Sequence, residues 1–324
     1  MSGKNTRELI FQYLQEKGQA SGQELARWVQ VSRNAVWKHI HKLQKEGYPV
    51  QSISGRGYVL HPDPDLLLPL KIRSGLETSI LGKEIICRRE LDSTQTLARS
   101  LAQKGASQGL LVLAERQRTG RGRLDRSWSS PAGNIYLSCL LRPGIELFRT
   151  PQIPLLAGVA VARALNRHLG LNCRLKWPND LLYLGQKLGG ILAEVSAEAD
   201  RIQYLILGLG LNVNARIQDL DPQVREIATS LSLSLDQHIP RLPLLQQILL
   251  SLEEEYSEFL SQGFGRIRQQ WLQMNCTLGR EVAFCRDRSK ISGLALDLDD
   301  TGGLQVKLAS GQVTTLQAGD ISFI

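Results

Sequence analysis

Two closely spaced helix starts constrain the head of this chain more than any other feature. Ser21-Gly22-Gln23-Glu24 is a capping-box pattern: the serine hydroxyl accepts a first-turn N–H and the glutamate reaches back to the serine N–H. Ser32 offers a second N-cap soon afterwards. Between them there is room for one short helix, with Leu25, Ala26 and Val29 on its apolar side, and then a tight turn at Gln30-Val31. Upstream, Leu9, Ile10, Tyr13 and Leu14 recur at helical spacing and Gly18 supplies a stop. The helix capped by Ser32 runs to about Glu46 and stops at Gly47.

The third helix carries Val36, Ile40 and Leu43 on one stripe and Arg33, Asn34, Trp37, Lys38 and His41 on a neighbouring arc. That arc puts donors for guanine, adenine and phosphate near a helix N-terminus, as a DNA recognition helix requires; read blandly, it is a solvated face with one stray Trp. Val50–Ser54 and Tyr58–Leu60 then alternate as short strands around Gly55-Arg56-Gly57. Alone, Gly-Arg-Gly is simply a turn. After a recognition helix it is a wing, with Arg56 aimed at phosphate or minor groove. Residues 1–60 hold nine Lys and Arg against four Glu, 9 − 4 = +5 of the chain's +8. A basic head suits an anionic polymer. Ser32, Arg33, Asn34, Trp37, Lys38, His41 and Arg56 are therefore the expected DNA contacts.

The 324 residues allow two or three domains with real cores, and 42% apolar with 22% charged residues is ordinary for a globular chain. No apolar run reaches the ~18–20 residues of a membrane helix, and Met1-Ser2-Gly3-Lys4-Asn5 lacks a signal-peptide layout. A cytoplasmic protein with no membrane partner is expected. Cys87, Cys139, Cys173, Cys276 and Cys285 never form Cys-x-x-Cys, which argues against a disulfide framework or zinc site. No protein-bound metal is expected.

Past the proline-stiffened His61-Pro62-Asp63-Pro64-Asp65, read as a linker, the pattern changes. Strands are expected at Glu84–Glu90, Gly109–Ala114, Asn134–Leu141, Leu188–Val195 and Tyr204–Val213. Helices are expected after Ser93 or Thr94, at Pro154–Leu169 and at Leu244–Leu260. Strands and helices mix without strict alternation, which predicts an α+β domain with a mainly antiparallel sheet and helices packed on one side. From Asn275 onward short strands broken by glycines read as a small SH3-like barrel. The expected domains are 1–62, 63–274 and 275–324.

Between the second and third strands, Arg116, Arg118, Arg121, Arg123 and Arg126 crowd a loop that also holds Gly120 and Gly122. Glycines let backbone N–H groups approach a ligand, and arginines add fixed cationic donors for phosphate or carboxylate. Alone, such a loop is equally a basic turn. Gly208-x-Gly210 follows a strand, but Val213 stands where a dinucleotide fingerprint wants glycine, and no P-loop motif occurs. Lys187 lies beside Gly189-Gly190, and Lys176-Trp177-Pro178-Asn179-Asp180 joins a lysine, a rigid bend and a carboxylate.

Asp92-Ser93-Thr94-Gln95, Glu115–Arg123, Lys176–Asp180, Lys187–Leu192 and Gly208–Asn212 together resemble the biotin protein ligases, in particular the bifunctional ligase and biotin-operon-repressor type. The resemblance spans nearly the whole chain and implies a class II synthetase-like central sheet. It implies that biotin and MgATP give biotinyl-5′-AMP and pyrophosphate, and that biotin then passes to one lysine of a biotin carboxyl carrier protein, that of acetyl-CoA carboxylase. By similarity, Ser93, Thr94, Gln95 and Gln117 would bond the ureido ring. Arg121, Gly122 and Arg123, with the Gly120 N–H, would surround the acyl phosphate, and Lys187 would contact the biotin carboxylate. Lys176, Asn179, Asp180 and Asn212 would serve the nucleotide, its magnesium or the incoming amine, with Asp180 a base for the target lysine. Adenylate binding would promote a homodimer that binds operator DNA. Two alternatives stand beside this: a lipoate-type acyl ligase, and a non-enzymatic ligand-sensing winged-helix regulator. The loop departs from the family where Leu124-Asp125 replace an Arg-Gly pair, placing a negative charge beside an anion site.

Overall fold

The computed structural model describes residues 6–62, 65–198, 201–286 and 289–324; the expectations for Met1–Asn5 and for Asp63-Pro64 of the linker lie outside these. The chain divides into two compact units, Met1–Gly75 and Leu76–Ile324.

The first unit contains α1 (Thr6–Lys17), β1 (Gln19–Ala20), α2 (Gly22–Val29), α3 (Arg33–Lys45), β2 (Val50–Ile53), β3 (Gly57–Leu60) and α4 (Pro69–Ser74). The capping box forms: Ser21 N–H donates to Glu24 Oε2 at 2.6 Å and Glu24 N–H to Ser21 Oγ at 3.1 Å. Gln30 closes α2 in the left-handed region, φ 54°, and Ser32 Oγ accepts from Ala35 N–H at 3.2 Å. Ile10, Phe11, Leu14, Leu25, Val36, Ile40 and Leu43 make one core, each buried aliphatic contributing roughly 1.5–3 kcal/mol. The wing stands in a three-stranded sheet of order β1-β3-β2. The expected boundary at residue 62 falls short of this unit. Leu70 N–H donates to Tyr48 Oη at 2.9 Å, and Arg73 pairs with Glu8 at 2.5 Å, so α4 is fastened to the head.

The second unit is built on a seven-stranded sheet of order β4-β5-β6-β10-β9-β8-β7. Its strands are β4 (Ile85–Leu91), β5 (Leu111–Gln117), β6 (Ile135–Leu141), β7 (Arg174–Lys176), β8 (Asp180–Tyr183), β9 (Gln186–Glu198) and β10 (Arg201–Leu211). Among the described strands of this sheet only β4 and β5 run parallel, joined through α5 (Thr94–Gln103). α6 (Gln152–Leu169) and α8 (Arg241–Gln262) pack together. Gly158 of α6 comes close enough that a Cβ would sit 3.3 Å from Leu175, with Ile191 next to it. The expected one-sided packing holds for these two helices, but α5 departs from it. Its Ala98 and Ala102 pack with Tyr204 and Ile206, which alternate along β10 with Leu205, Leu207 and Leu209. Ile191, which faces α6, pairs with Leu209, so α5 lies on the opposite face. Its N-terminus places Ser93–Gln95 on that face of the sheet, with Gln95 against β10.

Short α7 (Leu231–Leu235) and α9 (Gly265–Met274) lead to β11 (Glu281–Arg286), β12 (Ser289–Leu298), β13 (Leu304–Leu308), β14 (Val313–Leu316) and β15 (Ile321–Phe323). These form one antiparallel sheet of order β14-β13-β12-β11-β15. The small barrel read from the spacing is open along one side in the described residues, because three-residue β15 pairs with β11 and not with β14. This sheet belongs to the same compact unit as the central one, and Trp177 joins the two. Its N–H donates to Thr277 Oγ1 at 2.9 Å and its Nε1–H to Gly302 O at 3.1 Å. No helix among the described residues is long and apolar enough to cross a membrane.

Candidate active site

One cavity of about 280 Å³ gathers Ser93, Thr94, Gln95, Gln117, Arg121, Gly122, Arg123, Lys176, Asn179, Asp180, Lys187 and Asn212. Apart from Gly120, every residue expected to serve biotin or nucleotide from sequence lines one space, although they come from positions scattered over more than a hundred residues.

The α5 end of the cavity is polar and held in register. Thr94 N–H and Oγ1–H donate to Gln117 Oε1 at 2.8 and 3.1 Å, and Gln117 Nε2–H donates to Ser130 Oγ at 3.0 Å. Gln95 Nε2–H donates to Ile206 O at 3.0 Å. Ser138 Oγ lies 2.8 Å from Thr94 Oγ1 and 2.9 Å from Gln95 Oε1. Ser93 Oγ is buried with no partner, and a buried hydroxyl without a partner is costly unless a ligand supplies one. Both ends of the Gln95 amide are engaged with the sheet.

At the other end, Lys187 Nζ stands 2.6 Å from Asp180 Oδ1 and 5.5 Å from the centre of the Trp128 ring. Asn179 ties its own bend to the sheet, its Nδ2–H donating to Ile191 O at 2.6 Å. Asn212 donates to Thr229 O at 3.0 Å, and Lys176 Nζ lies 4.9 Å from the Phe323 ring centre. The Trp177-Pro178 peptide is cis. The carboxylate of Asp180, the expected base for an incoming amine, is engaged by Lys187.

The arginine–glycine loop is a small hairpin. Trp128 N–H donates to Gly120 O at 2.8 Å, Gly122 N–H to Arg126 O at 2.7 Å, and Arg126 N–H to Arg123 O at 3.1 Å. Leu124 and Asp125 are both left-handed, φ 51° and 56°, which makes residues 123–126 a type I′ turn. The Gly122 N–H expected to face an anion is therefore spent inside the hairpin. The arginines keep carboxylate partners. Arg121 lies 3.5 Å from Glu194, while Arg123 and Arg126 lie 3.3 and 2.7 Å from the two oxygens of Asp320. Burial pushes the Arg123 guanidinium below the usual arginine range, with Asp320 and Asp180 pulling it back. Arg118 belongs to a separate exposed cluster with Asp92 and Glu90.

Sequence reasoning missed Trp128, Ser138, Asp320 and the close approach at Gly190, Gly208 and Gly210. A Cβ on Gly210 would sit 2.6 Å from the Trp128 ring, and one on Gly208 2.7 Å from Gln95 Oε1. The lone Ser138 in an otherwise apolar buried strand, and the glycine alternation itself, were the available signals. Trp128 Nε1 is buried and unpartnered. Among the described residues no group of three His, Cys, Asp or Glu side chains is placed to hold a metal ion.

In the first unit, Arg33, Asn34, Trp37, Lys38, His41 and Arg56 are all exposed, as a DNA-reading arc requires. Trp37 and His41 stack at 5.4 Å with an interplanar angle of 4°. Arg33, Asn34 and Trp37 share a concave surface with Ser52, Ser54 and Tyr58 of the wing.

A basic winged helix-turn-helix joined to an α+β domain whose cavity pairs a polar floor with two lysines and three arginines defines a ligase for a small carboxylic acid carrying a DNA-binding head. The family pattern of the biotin/lipoate A/B protein ligases matches residues 87–212, that of an HTH domain residues 6–59, and that of the biotin protein ligase C-terminal domain residues 277–324. The bifunctional ligase/repressor BirA of Bacillus subtilis is 39% identical over 93% of this chain and 93% of its own. That of Escherichia coli is 28% identical over 93% and 92%. The biotin protein ligase of Aquifex aeolicus, solved in complex with biotin and ATP, superposes with a TM-score of 0.64 at 31% identity, covering 75% of this chain and 99% of that one. The chain belongs to the biotin protein ligase family, of the bifunctional ligase/repressor type.

Proposed function

We propose that the cavity activates biotin with MgATP and passes it to a carrier lysine. The observation that carries this reading is the cavity's division into two ends, a hydrogen-bonding floor for a neutral polar ring and a cationic end for two anions. The unpartnered Ser93 Oγ, with Thr94, Gln95 and Gln117, would meet the ureido ring. Lipoate, whose ring has no such donors and acceptors, would leave this floor unpaired. A biotin carboxylate oxygen attacks the α-phosphorus, the bond to the β-phosphate bridge breaks, and pyrophosphate leaves with that electron pair. Lys187, Arg121 and Arg123 hold the two anions together and offset the charge as it builds. Trp128 would offer adenine a flat face, and Lys176 and Asn212, which line the same cavity, would contact the nucleotide. Magnesium would enter on the ATP phosphates.

In the second step the neutral carrier amine attacks the acyl carbon and the acyl–phosphate C–O bond breaks, releasing AMP. The amine proton passes to Asp180, once Lys187 has turned from it to the phosphate. The carrier is a biotin carboxyl carrier protein, and the reaction belongs to the cytoplasm. The same adenylate is the signal for the head: biotinyl-5′-AMP promotes a homodimer, whose two heads suit a palindromic operator. Sedimentation with and without biotin and MgATP tests this, and an operator affinity indifferent to both ligands at every protein concentration contradicts it.

A further inference from the structure

Glu194 of β9 receives two arginines on one oxygen. Arg99 of α5 stands 2.5 Å from its Oε1 and Arg121 of the loop 3.5 Å from the same atom, while Oε2 is buried with no hydrogen-bond partner. Glu194 pairs with Ile206 across β10, so it projects on the face that α5 covers. Arg121 lines the cavity, and neither Glu194 nor Arg99 is among its lining residues. A lone arginine takes a carboxylate through both oxygens. Here Arg99 holds the shared oxygen and its charge repels the second guanidinium, so Arg121 is seated at long range while an oxygen that would suit it stays idle.

We propose that Glu194 competes with the ligand's anionic group for Arg121, and that Arg99 weakens this competition so that Arg121 is released to the adenylate. The proposal rests on the ligase reading above and makes Glu194 and Arg99 positioning residues. When the acyl phosphate enters, Arg121 turns to it, and Glu194 keeps Arg99 as counter-ion, so no carboxylate is left uncompensated. Without Arg99, Glu194 closes on Arg121 through both oxygens and every ligand must displace it. Without the Glu194 charge, Arg121 has no rival partner there.

The test measures binding of a hydrolysis-resistant biotinyl-adenylate analogue by calorimetry, on full-length chains whose thermal unfolding midpoints are recorded in parallel. Arg99→Met is expected to weaken binding and Glu194→Gln to tighten it, each about threefold to fivefold, the scale of a partly exposed ion pair. In the double variant the Arg99→Met effect is expected to vanish, and Arg99→Lys, which keeps the charge, to stay near the parent. Weakening by both single variants, or a loss from Arg99→Met that persists beside Glu194→Gln, overturns the proposal. If Arg99→Met does not fold, Arg99→Gln takes its place with the same expected sign. A parent chain that does not bind the analogue overturns the ligase reading instead, and this proposal with it.

Discussion

The indole of Trp128 lies so close over Gly210 that a single added carbon at the glycine would stand 2.6 Å from the ring. No rotamer of a larger residue escapes this, because the clash is with the first side-chain atom. Gly210→Ala should therefore lift Trp128 off the sheet. Such overpacking costs roughly 1–3 kcal/mol, so the KM for ATP should rise about 5- to 150-fold, with a shift in tryptophan fluorescence and a smaller change in the KM for biotin. An unchanged KM for ATP would separate Trp128 from the nucleotide.

Lys187 and Asp180, 2.6 Å apart, should fail at different steps. Lys187→Ala is expected to slow pyrophosphate release by about 10²- to 10³-fold, the scale of losing one transition-state donor. Asp180→Asn should slow transfer from preformed adenylate by about 10²- to 10⁴-fold and adenylate formation by less. Single-turnover measurement of each half-reaction separates the two. Equal loss in both halves from Asp180→Asn would reduce Asp180 to an anchor for Lys187.

The turn at Leu124-Asp125 places two non-glycine residues in the left-handed region, at a cost of roughly 1–2 kcal/mol each and less for Asp. Leu124→Val, β-branched, should fit that region worse. Amide exchange at Gly122 and Arg126, whose N–H groups close the hairpin, should quicken in that variant and stay as slow in Leu124→Gly. Equal exchange in all three chains would show that the hairpin does not depend on this turn.

Burial pushes Cys87 and Cys173 up to about 12 and raises Cys139 and Cys276 as well. At pH 8 these remain thiols, and the thiolate is the reactive form. Cys285 is exposed. Iodoacetamide should label Cys285 alone in the folded chain and all five cysteines after denaturation. Ligase activity should survive that labelling.

In the head, Asn34→Ala should cost about 1–3 kcal/mol on the preferred operator and little on other DNA, as loss of a base contact does. Lys38→Ala should weaken binding to all sequences alike and lower the salt dependence by about one unit. Reversed behaviour would exchange their roles.

The head was readable because its signals are local. Capping serines, apolar stripes and a glycine hairpin act within a few residues, and Ser21, Ser32 and Arg56 behave as their neighbours dictate. α4 escaped notice because its reason for existing is tertiary: Leu70 is held by Tyr48 and Arg73 by Glu8. In the second unit the buried strands were legible from their apolar runs, but sidedness was not. Which face α5 covers depends on the parity of β10, and nothing in α5 itself states it. The site's charged members were found because Arg, Lys and Gly cluster in the sequence. Asp320 and Glu194 were not, since a single carboxylate acquires meaning only when the fold sets it beside an arginine far away in the chain. Trp128 was passed over for the same reason: its neighbours Gly190 and Gly210 stand on β9 and β10, far along the chain from it.

The most direct measurement is the mass of a biotin carboxyl carrier domain after incubation with the purified chain, ATP, magnesium and either biotin or lipoate. The mass should rise by one biotin on one lysine, with AMP and pyrophosphate released in equal amount and no transfer of lipoate. An unmodified carrier in the presence of biotin, or a lipoylated one, would contradict the assignment of this cavity.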